Sequence, residues 1–259
     1  MKKKIRKLLT LRVAELSEKA QEGHVPSALS ILDIVWVIYN NFLDINLIKK
    51  KSFERDFFIL SKGHGCLAQY VVLERKNFFG KKILNSFCKY QSKFGGHPDS
   101  NKINGVECST GSLGHGFPFA AGIAYGNKLK KIKSKVIALI GDGECNEGSV
   151  WETCLIASHQ KLENLICIID KNNSTDRALK IDNIKKKFLA FGWDAIEING
   201  HSENQIFSAL SKKSKKPLAI IAHTTKGKGI KFMENNPEWH HKSINADLLK
   251  KIKLDLLNS

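Results

Sequence analysis

Apolar positions along this chain follow two periods. In the first forty residues they recur at helical spacing. Leu8, Leu9, Val13, Leu16 and Ala20 form one stripe, which Gly23 ends. Pro26-Ser27 opens a second stripe through Leu29, Leu32, Val35 and Trp36. Short continuous apolar runs then predict buried strands at Phe57–Leu60, 136–140, 165–169, 195–198 and 218–222. Between them the pattern predicts helices at 120–131, 147–162, 181–191 and 204–212. Strands alternating with helices imply an α/β fold, a doubly wound parallel sheet with helices on both faces. Such sheets bind ligands beyond the carboxyl ends of their strands, at a topological switch point.

Composition narrows the class. With 259 residues and 42% hydrophobic content the chain can bury a large core. No repeat or low-complexity linker divides it, so one domain over residues 1–259 is expected. The longest apolar runs, such as 30–39, fall short of the roughly 20 residues of a membrane span. No apolar signal core follows the basic N-terminus, so no membrane association and a cytoplasmic location are expected. The net charge is +17, which raises nucleic-acid binding. The lysines, however, sit in short scattered runs without interleaved aromatics, and there are only five arginines, at positions 6, 12, 55, 75 and 177. Solvated lysine faces and no nucleic-acid partner are therefore expected. Six cysteines without C-x-x-C or zinc spacing read as reduced core thiols.

The candidate chemistry lies at two strand ends. Gly141-Asp142-Gly143 closes one strand and Asn172 follows the next, thirty residues on. One strand–helix–strand unit fills that gap, so both side chains reach the same edge of the sheet. A carboxylate with an amide carbonyl is a hard-oxygen pair suited to Mg²⁺ or Ca²⁺, with phosphate oxygens and water completing the shell. The flanking glycines allow a diphosphate close to the backbone. The helix beginning near Glu147 turns its amide end to the same corner.

The segment from Gly141 to Asn172 resembles the thiamine diphosphate motif, and its text resembles transketolases in particular. Further segments match that family in order: Gly23-His24, Leu60-Ser61-Lys62-Gly63-His64, Gly95-Gly96-His97-Pro98, Thr110-Gly111-Ser112-Leu113-Gly114, Thr224-Thr225-Lys226-Gly227-Lys228-Gly229 and Trp239-His240. The resemblance implies the diphosphate-binding module of the thiamine diphosphate fold. It implies Mg²⁺, with Ca²⁺ or Mn²⁺ as substitutes, held by Asp142, Asn172 and the Ser174 carbonyl. It implies that the Gly111–Gly114 backbone faces the aminopyrimidine, with Gly141 and Gly143 also at the cofactor. His64 and His240 then stand beside the diphosphate and reacting centre, and His24 and His97 contact substrate oxygens. Glu147 reads either as an acid favoured by the helix dipole or, on the resemblance, as a subunit contact. His115 and His241 are left open between structural and functional roles; His159, His201 and His223 read as structural, and Lys226 and Lys228 are not assigned.

Transketolases continue into a second α/β domain that holds the pyrimidine ring and its activating glutamate. No residue here takes that part. The resemblance thus implies an N-terminal subunit that acts only with a C-terminal transketolase subunit, in an α2β2 assembly. It implies transfer of a two-carbon ketol unit from a ketose phosphate to an aldose. Departures at Val25-Pro26-Ser27, His115 and His241 lie toward the substrate and point to a specialised sugar pathway. Two alternatives stand beside this reading: half of another thiamine enzyme, of deoxyxylulose phosphate synthase or 2-oxo acid dehydrogenase type, and a non-catalytic binding protein.

Overall fold

The computed structural model describes residues 3–258 apart from Arg177 and His241. The helices are α1 (Lys3–Ala20), α2 (Val25–Val37), α3 (Ile45–Lys49), α4 (Cys66–Arg75), α5 (Lys81–Leu84), α6 (Gly116–Leu129), α7 (Gly148–His159), α8 (Ile184–Ala190), α9 (Glu203–Leu210) and α10 (Ala246–Asn258). The strands are β1 (Phe57–Leu60), β2 (Val136–Gly141), β3 (Leu165–Lys171), β4 (Asp194–Asn199) and β5 (Leu218–His223). All pair in parallel in the order β1-β2-β3-β5-β4.

The continuous apolar runs have a simple cause. Strand residues alternate between two buried faces. Ile137, Leu139, Ile166 and Ile168 point into one core with α1, α2, α4, α9 and α10. Val136, Ala138, Ile140, Cys167 and Ile169 point into a second core with α6, α7 and α8. Each fully buried Ile or Leu contributes about 1.5–3 kcal/mol relative to exposure. The edge strand β4 is only half-buried and carries Glu197, a charge that discourages further pairing.

The second predicted helix runs deeper than its period suggested. All of α2 is buried, and a π-helical turn at Ile38–Phe42 extends it. Together Val25–Phe42 form one 18-residue stretch apolar and long enough to cross a membrane by composition, but 83% of it is buried inside the fold. It is the central core helix. Of the six free cysteines, Cys66, Cys145, Cys154 and Cys167 are buried and Cys88 and Cys108 are partly so. The lysine run at 130–135 lies in the turn feeding β2, at the amino end of the sheet.

After β3 the chain leaves toward α8 on one face. After β5 it leaves toward α10, which packs on α1 on the other. The adjacent strands β3 and β5 therefore part at their carboxyl ends, which opens the crevice expected of a switch point.

Candidate active site

A cleft of about 510 Å³ opens at the carboxyl ends of β1, β2 and β3 and beside the loop after β5. Asp142 and Asn172 reach it from β2 and β3, as their spacing predicted. Asp142 is 4% exposed. Its Oδ1 accepts the Gly143 amide at 2.9 Å and its Oδ2 the Asn173 amide at 2.6 Å. Asn173 makes the second bond by adopting φ +61°, which asparagine tolerates better than most residues. Burial, then the charge of Asp170, hold the Asp142 carboxyl above its usual range, against the pull of Lys62.

The Asn172 amide is oriented by its nitrogen, which donates to Asp170 at 2.9 Å and to Ser30 Oγ at 3.2 Å. Its oxygen accepts the Ser174 amide at 3.0 Å and keeps a second lone pair. Among the described residues no cluster of three His, Cys, Asp or Glu is placed to hold a metal. An Asp–Asn pair instead leaves most of a shell to water or phosphate, the habit of Mg²⁺.

The glycines at this corner are informative. A Cβ on Gly141 would come no nearer than 3.9 Å to any protein atom, and one on Gly143 no nearer than 3.6 Å. Both line the cleft. The protein's own packing therefore does not demand glycine at either position, and the space they leave fits a ligand's close approach. Gly114 differs. At φ +75° its Cβ would meet Ser149 Oγ at 2.6 Å and Glu147 Cβ at 2.7 Å, so it packs on the start of α7. Of the predicted run, Gly111 and Leu113 line the cleft, whereas Ser112 is exposed outside the lining and Gly114 is turned inward. Glu147 lines the cleft as the exposed N-cap residue of α7, without a side-chain capping bond. A 3₁₀ turn at Asp142–Asn146 separates β2 from that helix. The amides nearest the strand end are thus those of the turn, and not of α7 as the sequence suggested.

Two buried carboxylates to which the sequence reading gave no role, Glu144 in the cleft wall and Asp170 behind it, support the site. Glu144 is fully buried and accepts from Ser61 Oγ at 2.6 Å, Gly114 N at 3.1 Å and Gly141 N at 2.9 Å. One side chain thus ties the end of β1, the 110–114 loop and the end of β2. Glu144→Ala leaves three buried donors without an acceptor. A loss of about 3 kcal/mol is expected, seen as a thermal midpoint lower by roughly 6–10 °C; an unchanged midpoint would remove Glu144 from this role. Asp170 is the second carboxylate. It accepts from Lys62 Nζ at 2.5 Å, from Ser30 at 2.8 Å and from Thr224. Burial raises its carboxyl, but Lys62 and these bonds outweigh burial and hold it below the usual range. Asp170 was legible as a polar residue two before Asn172 on the same strand face. Glu144 carried no comparable signal.

All four predicted histidines line the cleft. Gly23, at φ +117°, turns the chain so that His24 sits at the start of α2. The His24 ring packs edge-on against His64 at 5.4 Å and His240 at 6.0 Å between centroids. His97 is exposed at the mouth, its ring against Gly111. Burial, then the positive charge of Lys62 and the neighbouring His24, Lys226 and His240, push the His64 imidazole down to about 2. In the unliganded cleft His64 is therefore neutral and offers one donor and one acceptor nitrogen. Lys226 closes the cationic side, with Nζ 3.1 Å from His240 Nδ1. Burial and the charge of Lys62 push its ammonium down to about 8. Among the described residues no carboxylate pairs with Lys226 directly. Two ammonium groups confined in one cleft are the setting for a bound polyanion. His115 bonds the Leu113 carbonyl at 2.9 Å and His241 lies outside the described residues.

Fold and cleft together define a parallel α/β module with a ligand-sized polar site at its strand ends. The thiamine diphosphate binding domain of transketolase matches residues 1–257, and the chain belongs to that family. One of the subunits of an apulose-4-phosphate transketolase from Phocaeicola vulgatus is 37% identical over 238 residues, spanning 89% of this chain and 84% of that protein. A 6-deoxy-6-sulfo-D-fructose transketolase subunit from Clostridium sp. is 32% identical over 254 residues, spanning 95% and 91%. Transketolase from Campylobacter jejuni superimposes with a TM-score of 0.88 at 31% identity, covering 97% of this chain but 42% of that one. The parallel α/β fold expected from the strand pattern is thus the transketolase fold.

Proposed function

We propose that this chain is the thiamine diphosphate- and Mg²⁺-binding subunit of a two-subunit transketolase. The carrying observation is the meeting, in one cleft, of the Asp142–Asn172 oxygen pair, the Lys62 and Lys226 ammonium groups and the His24–His64–His240 cluster. Thiamine diphosphate, when bound, supplies the nucleophilic carbon and the electron sink for breaking and remaking a bond beside a ketose carbonyl. Asp142 and Asn172, with Ser174, hold the metal, and the metal and the two lysines hold the diphosphate. Gly111 and Leu113 offer backbone at the mouth. His64 exchanges hydrogen bonds with substrate oxygens, and His24, His97 and His240 take the proton from the donor hydroxyl beside the breaking bond and, in the second half of the reaction, supply one to the acceptor's carbonyl oxygen.

The partner is a subunit carrying the pyrimidine-binding domain, joined in an α2β2 assembly in which Glu147 lies at a contact between subunits. The location is cytoplasmic, and the whole chain acts as one diphosphate-binding domain. The donor is a ketose with a terminal anion, phosphate first. The relatives named for apulose-4-phosphate and sulfofructose support this choice. The test is purification of the tagged chain from its source cells with thiamine diphosphate and Mg²⁺, followed by mass spectrometry and donor assays on the complex. A stoichiometric partner and ketol transfer from a ketose phosphate support the reading. Consumption of pyruvate instead, or recovery of this chain alone, overturns it.

The Lys226 ammonium adds a pH signature. It is charged below about 8, so cofactor affinity is expected to be flat up to that pH. Above it, deprotonation competes with binding and affinity falls by up to about tenfold per pH unit. Titrations from pH 7 to 9 on the wild type and Lys226→Gln check this: the variant binds more weakly and loses the slope.

A further inference from the structure

His201, at the turn between β4 and α9, is remote from the cleft lining yet touches the loop that carries Lys226. The Thr225 amide donates to His201 Nε2 at 2.8 Å. That bond requires Nε2 to be the bare nitrogen and Nδ1 to carry the hydrogen. Nδ1 lies 2.8 Å from Asp33 Oδ2 on α2, and Asp33 also accepts from Arg6 on α1. Arg6 in turn donates to the Lys228 carbonyl at 3.1 Å. The imidazole is therefore fixed in one tautomer by a buried carboxylate, whose side chain is 7% exposed. Its own backbone is fixed too. The His201 amide bonds Asn199 Oδ1 at 2.9 Å, and the Gly200 amide bonds the His223 carbonyl at 2.8 Å.

The next residue after Thr225 is Lys226, whose ammonium enters the cleft. We propose that His201 is a positioning residue for the cofactor's anionic end, setting the Thr225–Lys226 backbone so that Lys226 Nζ meets the diphosphate. This rests on the function proposed above. His201 accepts the Thr225 amide, and the segment must cross from β5 to the cleft within three residues. A shift of one ångström at Thr225 would be carried directly to Lys226 and to its contact with His240.

The two nitrogens of His201 can be replaced separately. Asparagine carries an amide near the place of Nδ1 and keeps a donor for Asp33. Glutamine carries an oxygen near the place of Nε2 and keeps an acceptor for Thr225. The experiment measures thiamine diphosphate affinity, by quenching of intrinsic fluorescence with Mg²⁺ present, on the complete enzyme with its partner. His201→Asn is expected to bind about tenfold more weakly, and His201→Gln within about threefold of wild type. The double variant His201→Asn/Lys226→Gln should bind no more weakly than Lys226→Gln alone, because both changes act through one group. Equal losses in the Asn and Gln variants, or additive losses in the double variant, would overturn the proposal and leave His201 a purely structural residue. A wild-type enzyme that fails to bind the cofactor overturns the underlying function instead, and so the two failures are told apart.

Discussion

Asp142→Ala is expected to weaken thiamine diphosphate binding at least about 100-fold in the presence of Mg²⁺ and to abolish its dependence on the metal. Among the described residues, Asp142 is the cleft-lining carboxylate whose oxygens meet only backbone amides, at 2.9 and 2.6 Å. Glu144 is fully engaged by three donors and Asp170 by a lysine, two hydroxyls and an amide. Neither can replace it. The free protein should not suffer equally. Burial already disfavours the Asp142 charge, so its removal offsets the two lost amide contacts. The midpoint of the cofactor-free variant is expected within about 2–3 °C of wild type. Retention of metal-dependent affinity would show that the assignment of Asp142 is wrong.

Lys62→Met should damage stability most. Its ammonium lies 2.5 Å from Asp170, with the two side chains 2% and 0% exposed. Breaking one side of a buried pair leaves the other charge uncompensated, at about 3–5 kcal/mol. The midpoint should fall by roughly 10 °C. Adding Asp170→Asn should restore most of the loss, since the amide needs no counter-charge. The pH dependence should also reverse. In the wild type the Asp170 carboxyl titrates below its unfolded value. Its contribution is therefore present above about pH 4 and lost as pH falls through the folded value. In Lys62→Met the largest opposition to burial is gone and only the Ser30, Thr224 and Asn172 bonds remain; the carboxyl is expected to move above its unfolded value, so that acid stabilises the variant relative to neutral pH. Thermal melts from pH 4 to 8 separate the two cases by the sign of the slope.

The sheet and the meeting of Asp142 with Asn172 in one cleft were legible in the sequence because both are local. A buried strand is a run of five or six residues, and Asp142 and Asn172 are linked by a single strand–helix–strand unit. The histidines were legible because glycines and prolines mark the turns that carry them. What the sequence hid is long-range. The bond from Arg6 to the Lys228 carbonyl joins residues 222 apart, and Ser30 reaches Asp170 across 140. Lys62 reads as one more lysine in a basic chain until β1 and β3 set it against Asp170. Glu144 reads as one acid in a polar turn until its bonds tie two strand ends and the 110–114 loop together. The short helices α3 and α5 have five and four residues, too few to show a period, and α10 owes its place to α1 at the other end of the chain.

The strand order bears on how the molecule comes to exist. β5 is the last of these strands to be made, yet it lies between β3 and β4. During synthesis from the N-terminus β4 has no neighbour to pair with, and the edge of β3 stays bare until residue 223 has left the ribosome. The same arrival delivers Thr224 to Asp170 and Lys226 to the cleft. Closure of the sheet and the arrival of Lys226 at the cleft are therefore one event.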